Sequence, residues 1–115
     1  MLARMKRLSF DAGSAFSPTD ERLEGVTIAP LTPPADVRAA IFRLSPGGRI
    51  ARHPATMPQI LAVLEGAGHV SGPDGAFEPI AAGQAVFWAA GEEHETVTDG
   101  GLTALVLEAK ALEPR

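Results

Sequence analysis

Three polar side chains stand at spacings that could build one site: His53, Gln59 and His94. The first two lie in Gly47 to Gly66, GGRIARHPATMPQILAVLEG, and the third in Gly83 to Thr98, GQAVFWAAGEEHETVT. Imidazole suits iron, zinc, copper and nickel, and it is also a base near neutral pH. An amide oxygen is a weaker ligand. Two neutral histidines and a glutamine leave the +2 charge of a divalent ion uncompensated, so such an ion would recruit an anion. That anion is a substrate carboxylate or a nearby acid, and Glu92 and Glu93 are nearest to His94 in sequence. Glutamates so placed are more often solvated loop residues.

Without a metal, the same three side chains would hydrogen-bond a polar ligand. A buried amide needs partners, so Gln59 either faces the histidines and their ligand or makes a private structural bond. Met57, in the loop before Gln59, is a candidate for gating the pocket or for filling a gap. Trp88, the only tryptophan, is a candidate for stacking on a ligand, and packing in the core or an interface is its plainer role. His69 lacks a comparable setting and reads as a surface strand residue. No nucleophile elbow, dinucleotide fingerprint or phosphate loop accompanies these residues.

The elements that must position them are short strands. Twelve glycines and ten prolines leave little room for helices in a chain of 115 residues. Val26–Leu31, Val37–Leu44, Arg49–His53, Gln59–Glu65, His69–Ser71, Phe77–Ala81, Gln84–Ala89, His94–Thr98 and Leu102–Ala109 all fit strand patterns, and about nine or ten strands are expected. Pro46-Gly47-Gly48, Gly72-Pro73-Asp74-Gly75 and Asp99-Gly100-Gly101 are turn signals, and Pro33-Pro34 breaks the chain. Pro30 argues for an edge position of the first strand. Alternation puts Gln59, Leu61, Val63 and Glu65 on one face of their strand, and Ala85 with Phe87 opposite Val86 with Trp88. Met1 to Phe10 reads as an exposed strand or arm.

Composition narrows the function. Apolar residues make up 45% and charged residues 21%, which is ordinary globular usage for a single domain. A net charge of -4 argues against a nucleic-acid partner, which would call for a basic face. There is no cysteine, which excludes disulfides, thiolate metal sites and cysteine nucleophiles and fits a cytoplasmic protein. No run approaches the roughly 18 apolar residues of a membrane span, so no membrane partner is expected.

The two glycine-to-histidine stretches resemble the paired motifs of the cupin superfamily. The first family pattern is G-x5-H-x-H-x3-4-E-x6-G; here it reads Gly47, His53, Ala55, Gln59 and Gly66. The second is G-x5-P-x-G-x2-H-x3-N; here it reads Gly83, Ala89, Gly91, His94 and Thr98. The resemblance covers about residues 36–109 and implies an all-β, jelly-roll-like double-stranded β-helix. Residues 1–35 would then be an N-terminal arm and edge strands of one 1–115 domain. Members that bind metal do so through three histidines and a glutamate. Carried over by position, the metal set is His53, Gln59 and His94, with Ala55 in place of the second histidine.

The resemblance implies a divalent ion (Fe, Ni, Zn, Cu or Mn) with a small polar or anionic molecule in the barrel lumen, and metal-dependent oxygenase or isomerase chemistry. A metal-free binding or sensing module with the same pocket is the alternative. It also implies a homodimer, for which the Met1–Phe10 arm and the apolar Leu102–Leu107 strand are candidate contacts.

Overall fold

The computed structural model describes residues 5–33 and 36–115. Met1 to Arg4, the beginning of the expected arm, and Pro34 lie outside them; Met5 to Phe10 is exposed and forms no strand. Seven strands follow: β1 (Leu23–Pro30), β2 (Val37–Pro54), β3 (Gln59–Ser71), β4 (Phe77–Ala81), β5 (Ala85–Trp88), β6 (Glu93–Val97) and β7 (Leu102–Ala109). Among the described residues one 3-10 turn, Ala12–Ser14, is closed by the Asp11 carboxylate, which accepts from the Ser14 amide. The fold is the all-β cupin jelly roll that the motifs imply.

Seven strands replace nine or ten because two corners are bends inside continuous strands. The first half of β2 pairs with β7 and its second half with β6, while β1 follows β2 across the corner. The first half of β3 pairs with β5 and β7, and its second half with β4 and β6. Each long strand therefore leaves one sheet and enters the other, so the chain reverses face without breaking its ladder.

Gly47 (φ 80°) and Gly66 (φ 82°) sit at those corners. Positive φ is a backbone state that side-chain-bearing residues rarely adopt. In β3 the register slips between Val63 and Glu65, which turns Glu65 outward although simple alternation places it with Val63. β1 is an edge strand, with Pro30 as its last residue, as the proline requires.

Both sheets turn their apolar side chains inward. Leu44, Ile50, Leu61, Val63, Val70 and Leu102 are all buried, and Ile28, Phe42 and Val86 pack against them. Burying one such side chain contributes about 1.5–3 kcal/mol, so this layer is what holds the two sheets together. Strict alternation in β7 buries Leu102, Ala104 and Val106 in turn. The next inward position is Glu108.

Candidate functional site

His53 and His94 face each other directly across the β2–β6 ladder. Their ring centroids are 4.4 Å apart, with the planes inclined at 51°. In the opposite sheet the strands align Glu108 of β7, Gln59 of β3 and Trp88 of β5 in one row. The two rows enclose a cavity of about 120 Å³ at one end of the barrel, lined by His53, His94, Gln59, Thr96 and Glu108 over an apolar floor. The sequence-derived trio thus meets in one place.

Each histidine ring is held in a defined orientation. His53 Nδ1 lies 2.7 Å from the Ala51 carbonyl, and His94 Nδ1 lies 3.2 Å from the Glu92 carbonyl. A carbonyl can only accept, so Nδ1 carries a proton, and in the neutral ring Nε2 carries a lone pair. Trp88 stacks on His94 at 4.4 Å and 30°. His94 is buried, and that desolvation pushes its pKa below 6.5 against the opposing hydrogen bond to the Glu92 carbonyl.

Gln59 is oriented in the same way. Its Nε2 donates to Glu108 Oε1 at 3.2 Å, which leaves the amide oxygen free. Thr96 is 1% exposed, and its hydroxyl has no hydrogen-bond partner among the described residues. A buried polar group left alone costs about 1–3 kcal/mol.

Asp20 and Arg22 stand at the cavity mouth. The Arg22 guanidinium grips the Asp20 carboxylate through Nε at 3.0 Å and Nη2 at 2.6 Å, and holds its pKa down to about 2. The Ala51 amide donates to the Arg22 carbonyl at 2.7 Å, which fastens this segment beside His53.

Other expectations resolve differently. Glu92 accepts from the Ala89 amide at 2.6 Å and closes its own turn, and Glu93 lies 3.9 Å from Arg52. Neither lines the cavity; the carboxylates that do are Glu108 and, at the mouth, Asp20. Trp88 is 3% exposed and serves as a backing for His94 within the core, outside the lining itself. Met57 is half-buried and does not line the cavity either. His69 is exposed on β3.

Glu108, Thr96, Asp20 and Arg22 are the additions that sequence reasoning missed. Strand parity carries a signal for Glu108 and Thr96, since both continue buried alternations, Leu102-Ala104-Val106 and His94-Thr96. A larger open cleft of about 650 Å³ runs past Arg43 and Glu65 and contains none of His53, Gln59 and His94.

As a metal site, the donors amount to two imidazole nitrogens and one amide oxygen. Among the described residues no group of three His, Cys, Asp or Glu is placed to hold an ion. Catalytic zinc sites use three protein ligands, all stronger than an amide oxygen. The set is one strong ligand short of a tightly held resident metal.

The Cupin domain family matches residues 40–109, more than half of the chain. Among solved structures, the polyketide cyclase RemF from Streptomyces resistomycificus is similar at 27% identity and TM-score 0.81, covering 96% of this chain and 83% of that one. A Cupin 2 conserved barrel domain protein from Salinispora arenicola is similar at 22% identity and TM-score 0.76, covering 95% and 92%. A predicted oxalate decarboxylase from Thermotoga maritima is similar at 26% identity and TM-score 0.68, covering 74% and 80%. No curated protein matches the chain.

Proposed function

The chain belongs to the cupin superfamily, and on that premise we propose that its lumen binds a small polar molecule through His53, Gln59 and His94, with Thr96 and Glu108 completing the wall. One observation carries this reading. Both imidazoles spend their Nδ1 protons on backbone carbonyls, so in their neutral forms two Nε2 acceptors are left in the cavity. Such acceptors are stabilised by a ligand that donates to them.

The likeness to a polyketide cyclase supports acid–base work on the bound molecule in addition to binding. His94, held below the ordinary histidine pKa, is unprotonated at neutral pH and can take a proton at Nε2. Small-fragment screening by protein NMR tests the reading. Hits should shift resonances of His53, His94 and Thr96, and His53→Ala and His94→Ala should each weaken them about tenfold or more. Hits that leave these resonances unmoved, or survive both substitutions unchanged, would place the ligand elsewhere.

A second reading is favoured by the free Gln59 oxygen beside the two lone pairs: an exchangeable divalent ion held by His53, Gln59 and His94, with Glu108 partly offsetting its charge. The ion would supply Lewis acidity to a bound oxygen. Elemental analysis of untagged protein decides between the readings. Near-stoichiometric metal, lost in Gln59→Ala and His94→Ala, supports the ion; protein that stays metal-free after reconstitution ends that reading.

Pairing of two chains is supported by the exposed Met5, Leu8 and Phe10, and a monomer mass in light scattering would end it. A cytoplasmic location is the one that the cysteine-free composition supports.

A further inference from the structure

The cavity wall is rich in hydrogen-bond acceptors, and this bears on what it can hold. His53 and His94 offer lone pairs at Nε2, because their Nδ1 protons are engaged by the carbonyls of Ala51 and Glu92. Glu108 is acceptor-only when ionised. One N–H of Gln59 is donated to Glu108, which leaves its second N–H and its amide oxygen. At the mouth, the Arg22 guanidinium is engaged by Asp20 through Nε and Nη2. The Thr96 hydroxyl is buried within the wall without a partner among the described residues.

Facing this wall are Leu23, Phe42, Ile50, Leu61 and Val106. The volume of about 120 Å³ compares with the roughly 150 Å³ of an apolar cavity that accommodates benzene. Charge adds a further constraint. Asp20 and Arg22 offset each other, so Glu108 leaves the lining with a net charge of about -1. A ligand carboxylate would meet that charge in a confined space, where like charges cost several kcal/mol. An ammonium group would be drawn to Glu108, yet it would lose its hydration to a carboxylate already shared with Gln59, over an apolar floor.

Resting on the binding reading above, we propose that the lumen selects an uncharged single-ring molecule bearing hydroxyl groups on one edge, and that Glu108 excludes anions. The ring lies on the apolar floor. Its hydroxyls donate to Nε2 of His53 and His94, and one of them accepts from the second N–H of Gln59.

The test uses wild-type protein, demetallated and isotope-labelled, titrated by NMR with catechol, resorcinol, benzoate and benzylammonium. Catechol or resorcinol should saturate with shifts at His53, His94 and Thr96, while benzoate and benzylammonium bind about tenfold or more weakly. Glu108→Gln keeps an oxygen that can accept from Gln59, so the fold is preserved while the charge is removed. In that variant benzoate should gain about tenfold relative to catechol. Benzoate or benzylammonium matching the phenols in wild type, or an unchanged ratio in Glu108→Gln, overturns the proposal and leaves the binding reading standing. Failure of all four probes to perturb the site, at concentrations where fragments normally bind, overturns both together.

Discussion

His94 joins three roles in one side chain: it faces His53, backs onto Trp88 and loses its hydration to the core. Because burial lowers its pKa in the folded state, the unfolded chain binds more protons just below pH 6.5. Stability is therefore full above that pH and falls as the pH drops through 6.5 towards the folded value. Thermal unfolding of wild type between pH 7.5 and 5 should show the decline, and His94→Gln should flatten it. An equal slope in both proteins would assign the effect to other groups. The residue scale also explains what was legible. His53, Gln59 and His94 announce themselves by type and spacing. Glu108 is visible only once the parity of β7 is followed past Val106, and the ion pair of Asp20 and Arg22 resembles any surface pair until the loop is placed against Ala51.

At the scale of elements, the fold depends on two strands that change sheets. Gly47 and Gly66 mark the corners with almost the same φ, 80° and 82°, but in different surroundings. A Cβ on Gly47 meets nothing within 4 Å, whereas one on Gly66 runs into the Gly101 carbonyl and the Leu102 backbone of the neighbouring strand. Gly47→Ala should cost only its backbone strain, about 1–2 kcal/mol. Gly66→Ala should cost about 1–3 kcal/mol more, since β3 must move away from the start of β7. Chemical denaturation of the pair separates strain from close approach, and equal losses would remove the constraint assigned to Gly66. Local signals misjudge these corners for the same reason. Pro-Gly-Gly reads as a turn between strands, but a transfer of pairing partners has no local signature.

For the whole molecule, the pairings that close the barrel are long in sequence: Val37 with Ala109, and Gln59 with Glu108. Loop closure must precede the contacts that offset it, so refolding should take milliseconds to seconds, as in other all-β domains. Stopped-flow tryptophan fluorescence at Trp88 reports it, and microsecond refolding would contradict the topology. Taken alone, the sequence determined the strand class, and its resemblance to the cupin motifs implied the barrel and the meeting of His53, Gln59 and His94. The strand class follows from alternation and turn chemistry, which are properties of neighbouring residues. The tertiary structure decided that the carboxylate at this site is Glu108 rather than Glu92 or Glu93, that Trp88 backs His94 instead of lining the cavity, and that Asp20 and Arg22 stand at its mouth. Each of these depends on which distant strands lie side by side, and register across a closed barrel is set by the packing of both sheets together.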